Sequence, residues 1–446
     1  MRKWPSSLGY TLAALAAMFL LLPMLMGILA ENKCNQMVDL FNNTTPFNLK
    51  ITDYQRGWFS AKAIAQISLN KSDTPNQLHQ LTINANIIHG PLLIDWARFQ
   101  FIQAVINANI NLNSTQNNLL KRAFDAGPIA TTEIKFRLSG DTAFTLESPP
   151  LAYQDQESNF YWQGLRINTD LSPLYNQLQS KIEFSGIDIG NKNYNLHLGK
   201  MISTYQGSKT SSGLWIGERN LQLDSFATKN DNNRIISLGG LNLHSLITSD
   251  QKNSVNVAAT LSVDNLNING ATYNQNKLDF EINKLDQSTL AKLQQQLISS
   301  KNIFPLQTNI GIDTALSILN NGSEINIKQL NTDTPWGKLL SIIKITFADQ
   351  PNNNNLLATI ISSSINTNIS AEKGLALHLL EKFYQIMPSQ NRPNNSAKQA
   401  EALLNDWQQS GKITTSELDN YLHIIVDYKN GRLSINNKHL TLTTKP

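Results

Sequence analysis

Leu266-Asn267-Ile268-Asn269-Gly270 and Leu278-Asp279-Phe280-Glu281-Ile282 alternate apolar with polar residues, on either side of a turn that begins at Asn269-Gly270. Period two with one apolar and one polar face is the mark of a half-buried antiparallel strand. The same alternation runs outward in both directions. Before it come Phe47 to Ile51, Ala65 to Leu69, Leu81 to Ala85, Ala108 to Leu112, Glu133 to Leu138 and Tyr194 to Leu198. Around and after it come Val255 to Val257, Leu261 to Val263, Ile325 to Ile327 and Ile360 to Ile369. Near the C-terminus, Leu422, Ile424, Val426 and Tyr428 alternate up to Lys429-Asn430-Gly431, and Leu433 and Ile435 alternate away. Asn-Gly between two such runs is the strongest short-range hairpin signal.

Helices are expected to be few. Asp286 reads as the N-cap of a helix over Gln287 to Ser299, with Leu290, Leu293, Leu297 and Ile298 on one face. Ser172-Pro173 reads as the start of a brief one. Ser370 is expected to cap Ala371 to Met387, which Pro388 stops, and Ala397 to Ser410 forms the last, with Gly411 at its end. Turn-forming clusters at Lys229 to Asn233, Asn352 to Asn355 and Pro388 to Ser396 mark loops.

The N-terminus is different. Leu8 to Ala30 carries no charge over 23 residues and follows Arg2 and Lys3. As a helix it would be about 35 Å long, enough for a hydrocarbon core of about 30 Å. A cleavable signal peptide has a shorter apolar region and a small-x-small exit, whereas Ile28-Leu29-Ala30-Glu31 puts Ile where a small residue belongs. A core helix is rarely apolar all round. An uncleaved, single-pass anchor is the expectation, with the N-terminus cytoplasmic by the positive-inside rule. The expected layout is 1–7 cytoplasmic, 8–30 anchor, 31–46 juxtamembrane and 47–446 a β-rich exported region, with subdivision near 240–250 and 388–396.

Composition narrows the function classes. Net charge is +4, with 37 basic and 33 acidic residues dispersed, so no basic stripe for nucleic acid is present. Cys34 is the only cysteine. It allows no internal disulfide, and it either bridges two copies of the chain or stays a plain thiol, the favoured reading.

Two clusters stand out. In Tyr54-Gln55-Arg56-Gly57-Trp58-Phe59-Ser60, Tyr54, Arg56, Trp58 and Phe59 have the composition of a patch that meets lipid headgroups or a partner. The plainer reading is a strand bend at Gly57 with the aromatics packed beneath it. His89-Gly90-Pro91 is a turn whose His, as a catalytic group, would need an orienting acid and a nucleophile. Ser-x-x-Lys occurs at Ser68, Ser249, Ser341 and Ser370 without companion motifs. No catalytic, cofactor or metal residue set is identified, and the chain is expected not to be an enzyme.

Taken in order, several motifs resemble those of the YdgA-like family of uncharacterised bacterial envelope proteins. They are the N-terminal apolar run, Tyr54-x-Arg56-Gly57-Trp58-Phe59-Ser60, His89-Gly90-Pro91-Leu92 and Leu285-Asp286 with Leu290 and Leu293. They continue with Pro335-Trp336-Gly337, Gly411-Lys412-Ile413, and Tyr421 leading to Gly431-Arg432-Leu433-Ser434-Ile435-Asn436-Asn437-Lys438, where Asn437 stands in place of an expected Gly. The resemblance implies an inner-membrane protein facing the periplasm, and it supplies no catalytic residues.

The expected fold is mainly β (α+β), an elongated, curved antiparallel sheet with a few short packed helices, behind one transmembrane helix. The expected function is non-enzymatic, with an apolar sheet face offered to a lipid or another apolar ligand. The alternatives are a scaffold for an envelope protein or a homodimer, and, third, a hydrolase.

Overall fold

The computed structural model describes residues 6–45, 47–69, 81–95, 98–112, 127–230, 235–250, 253–299, 322–349, 359, 361–387, 395–415, 420–429 and 431–440, with side chains in the first helix from Leu21 onward. The chain divides into two compact units. The first is Met1–Ile189, Ile202–Ser208 and Leu293–Thr308, and the second is Gly190–Met201, Lys209–Lys292 and Asn309–Pro446.

The first unit opens with α1 (Ser6–Thr44), β1 (Phe47–Arg56), β2 (Ser60–Leu69), β3 (Leu81–His89), β4 (Leu92–Asp95) and β5 (Arg98–Leu112). It continues with β6 (Ala130–Arg137), β7 (Thr142–Ser148), β8 (Leu151–Gln154), β9 (Ser158–Trp162), β10 (Leu165–Leu171) and β11 (Gln177–Phe184). Next along the chain are β12 (Ile187–Asn191), β13 (Asn195–Leu198) and β14 (Met201–Lys209). The second unit's main strands are β15 (Trp215–Lys229), β16 (Ile235–Ser249), β17 (Ser254–Ile268), β18 (Ala271–Asp286), β19 (Glu324–Thr334) and β20 (Gly337–Thr346). The rest are β21 (Ser364–Glu372), β22 (Thr414–Thr415), β23 (Tyr421–Lys429), β24 (Arg432–Ile435) and β25 (Lys438–Leu440), with helices α2 (Gln287–Ser299), of which the part up to Lys292 belongs to this unit, α3 (Lys373–Ile386) and α4 (Ser396–Gln409).

Both units are antiparallel meanders. In the first, β1–β2–β3–β5–β6–β7–β10–β11 pair in that order. In the second, β15 to β21 pair in chain order, followed by β23, β24 and β25. The mainly β expectation holds.

Helix boundaries follow local capping, and two expectations are corrected. Asp286 caps α2 as expected, its Oδ1 accepting from the Thr289 amide at 2.7 Å. Ser370 caps nothing. It lies in β21, its hydroxyl hydrogen-bonded to His423 Nδ1, because the alternating run continues to Glu372 before helical geometry begins. Ser172-Pro173 opens no helix either. The Ser172 hydroxyl accepts from the amides of Asn176 and Gln177 and so closes the β10–β11 turn. The Lys429–Gly431 hairpin forms, with Lys429 opposite Arg432. The turn after β24 is built by Asn436 and Asn437, both at positive φ (46° and 64°). Asn tolerates this left-handed region, so the missing Gly is no obstacle. Asn352 to Asn355 and Pro388 lie outside the described residues.

Segment 31–46, expected as a juxtamembrane stretch, is helical as far as Thr44. Ala30, Cys34 and Met37 recur at helical spacing on one face and pack on the first unit's sheet. Among the described residues no helix is long and apolar enough to cross a membrane.

Candidate functional site

The two singled-out clusters meet at one end of the first unit's sheet, beside α1. The helix runs antiparallel to β1. The Asn42 amide group brackets the backbone of Leu49, donating to its O at 2.9 Å and accepting from its N–H at 2.7 Å. Further up, Glu31 pairs with Arg56 at 3.0 Å. Both partners are partly exposed, so the pair fixes register more than it stabilises, about 1 kcal/mol at most.

Beneath the helix the sheet face is lined with small residues. Ala61, Ile87, Ile106 and Ile134 form one cross-strand row, and Ala63, Ala85 and Ala108 form the next. A third runs from His89 through Ala104 and Phe136 to Thr142, all four buried. The alanines let the helix approach closely. At its tightest point a Cβ on Gly27 would stand 2.5 Å from the His89 ring, so only Gly fits.

His89 is 4% exposed. Its amide donates to Phe59 O at 2.9 Å, and its Nδ1 lies 3.3 Å from Trp58 O. Since a carbonyl only accepts, that contact places the proton on Nδ1 and leaves Nε2 as an acceptor, buried and without a partner. Gly57 donates to Ser60 O at 2.8 Å and Gly90 to Gln103 O at 2.8 Å, and the Gly90–Pro91 bond is cis. The 54–60 and 89–91 stretches are thus tied together by backbone bonds.

The side chains point two ways. Tyr54 packs on the alanine-lined core, its hydroxyl buried and its acidity weakened by that burial and by Cys34 and Glu31 nearby. Trp58 and Phe59 face outward, 46% and 55% exposed. Cys34 is buried, and burial first, then the charge of Glu31, raises its pKa to about 12. A thiol held protonated is a poor nucleophile. His89 does not activate it: Gly27, not Cys34, faces the imidazole, and the two lie about 10.5 Å apart along the helix. A bridge between two copies through Cys34 would require α1 to lift off the sheet. Among the described residues no group of three His, Cys, Asp or Glu is placed to hold a metal.

The second unit carries a feature that no short motif announces. Ile247, Val257, Ile282, Ile325, Ile345, Ile365, Tyr428 and Leu433 stand side by side on eight paired strands. Parallel to them run Leu221, Leu243, Leu261, Leu278 and Leu330, and Ala259, Phe280, Ile327 and Ile343. One residue along the strands, the opposite face reads Leu246, Ala258, Glu281, Asn326, Lys344, Asn366, Asp427 and Ser434. Strands spaced about 4.8 Å apart make the apolar row about 34 Å long.

Two helical covers reach this apolar face among the described residues. At one edge Leu290 and Ala291 of α2 join Leu214, Val255 and Leu285. At the other, Ala376, Leu377 and Leu380 of α3 pack with Leu404, Ile413 and Leu422. Between them Leu243, Leu261, Leu278, Phe280 and Ile327 remain half-buried. Pro335-Trp336-Gly337 forms the β19–β20 turn, with Trp336 stacked on His378 of α3 at 3.7 Å.

Two antiparallel meanders, one with a helix packed on its face and one with a broad apolar face, define a mainly β protein. The chain belongs to a family of bacterial proteins of unknown function, DUF945, whose model matches residues 1–443. An uncharacterized protein of Haemophilus influenzae strain Rd is 23% identical over 264 residues, spanning 55% of this chain and 70% of its own. No solved structure matches.

Proposed function

We propose that this is a membrane-anchored envelope protein whose second unit holds acyl chains or a similar apolar ligand against its sheet. The observation that carries the reading is the contrast between adjacent cross-strand rows: one is apolar over eight strands, seven aliphatics and Tyr428, and the next, after Leu246 and Ala258, is polar or charged over the remaining six. Isolated exposed aliphatics are ordinary, but a contiguous apolar surface marks a binding face. Leu8–Ala30 supplies the anchor, and the YdgA-like resemblance agrees with a periplasmic setting.

Cells producing the full-length protein and fed a photoreactive fatty acid test the reading. Adducts are expected on peptides carrying Leu261, Leu278 and Phe280, and fewer in Leu261→Glu, while Asn326→Asp on the opposite face leaves them unchanged. Adducts absent from the second unit, or equally frequent on both faces, would sink the idea. One observation favours a protein partner instead: Leu379, Phe383 and Ile386 form an outward stripe on α3, 55%, 55% and 80% exposed. Crosslinks from that stripe to protein, with no lipid adducts on the sheet, would select it.

A further inference from the structure

We infer that the end of the first unit's sheet next to Gly27 rests in the headgroup layer of the bilayer, with Trp58, Phe59, Ile88 and Phe101 as its contact surface. The inference rests on the reading of Leu8–Ala30 as the anchor and adds how the first unit meets the membrane.

The direction of α1 carries the argument. Its contacts run in order from Asn42 at Leu49, through Glu31 at Arg56, to Gly27 at His89. Residues before Gly27 therefore run on toward the end that bears the Gly57–Phe59 turn, the close of β3 and the inner half of the β4–β5 hairpin, with Pro23 still buried one turn further on. From Gly27 back to Leu21 the helix gains about 9 Å. Leu21 and Leu25 on that stretch are 54% and 53% exposed, so it continues the uncharged run as an open apolar surface.

At that same end the sheet exposes its large apolar side chains: Trp58 at 46%, Phe59 at 55%, Ile88 at 39% and Phe101 at 70%. They are held there by backbone. His89 N–H binds Phe59 O, and Ile102 N–H binds Pro91 O at 3.1 Å, which fixes Phe101 beside the cluster. Trp and other aromatics gather where a membrane helix passes the water–lipid boundary, because the ring is apolar and its edge tolerates polar headgroups. The Glu31–Arg56 pair then marks the first charged level outside the hydrocarbon. The occupant is a lipid surface because the apolar helix leads out of this patch.

The experiment uses the full chain in phosphatidylcholine vesicles, with Cys34→Ala and one environment-sensitive label at a time. Labels go on Ala17→Cys in the anchor, on Phe59→Cys and Phe101→Cys in the patch, and on Thr131→Cys as an exposed site at the opposite end of the sheet. Brominated lipids are expected to quench positions 17, 59 and 101 and to spare 131. Quenching at 17 with none at 59 or 101 overturns this inference and leaves the anchor standing. Quenching at 59 and 101 but not at 17 supports the surface and overturns the anchor. No quenching at any site overturns both. Shielding of 59 and 101 in cells that is lost in vesicles would assign the patch to a protein partner and also overturn the inference.

Discussion

The two sheets solve one problem differently. Each has an apolar face, but the first is lined beneath α1 by Ala61, Ala63, Ala104 and Ala108, with Ile87 and Phe136 between them, all buried, and Ile83, Ala85 and Ile134 partly buried around them. The second is lined by Leu, Ile, Val and Phe and is half-buried over most of its width. Small side chains let a helix backbone come close enough to exclude water, whereas branched side chains hold any cover at a distance and present more area. The lesson is that side-chain volume on a strand's apolar face goes with how closely a helix covers it. The first unit's apolar face is buried at its centre, and the second unit's stays half-buried between its helical covers.

The strongest attack on this contrast substitutes equivalent side chains on the two faces. Phe136→Ala, at a position 1% exposed, should cost about 3–5 kcal/mol in denaturant unfolding of the first unit. Phe280→Ala, on the open face, should cost about 1 kcal/mol, since only part of its area leaves water on folding. Equal costs would mean that the second face is as closed as the first. Filling is the next test. Ala104→Leu should destabilise by about 1–3 kcal/mol by forcing α1 off the sheet, while Ala258→Leu on the second unit's polar face should be close to neutral.

Thiol reactivity sharpens the comparison further. Cys34, with a pKa of about 12, should resist alkylation at pH 8 until the protein is unfolded, whereas a thiol introduced by Leu261→Cys on a Cys34→Ala background should react in the native state. The sign follows from the raised pKa. Stability from keeping this thiol neutral is complete below pH 9 and is lost as pH climbs toward 12. Prompt modification of native Cys34 would show that α1 lifts readily.

The smallest effect lies away from both faces, at the β8–β9 turn. The amide of Glu157, then the hydroxyl of Tyr153 and the amide of Ser158, hold the Asp155 carboxyl down to about 2. Its contribution is present above the ordinary carboxylate value of 3.8 and fades as pH falls toward 2. A nuclear magnetic resonance titration should place its midpoint near 2, and Asp155→Asn should loosen this hairpin while leaving both apolar faces intact.

Much of this fold is legible locally. The runs at Leu81–Ala85, Ala108–Leu112 and Leu422–Tyr428 become strands because alternation leaves no other way to bury one face. Asp286 caps its helix through a bond to Thr289, and the hairpin signalled near Gly431 closes with Lys429 opposite Arg432. Ser370 and Ser172 mislead for the same reason in reverse, since a capping residue is only a local offer. In the first case the pairing of β21 with β20 and β23 outweighs it.

The candidate site was visible as two separate motifs, Tyr54–Ser60 and His89–Pro91, and not as one. What joins them is a helix whose contact residues, Gly27, Ala30 and Cys34, look in sequence like the tail of an apolar run. The sequence alone determined which residues form strands and which share a face, because side-chain direction repeats every two residues along any strand. Only the tertiary structure decided which face is closed and which open. That depends on strand pairings and on a helix whose contacts reach from Glu31 to Arg56 and from Gly27 to His89, whose energies no local pattern contains.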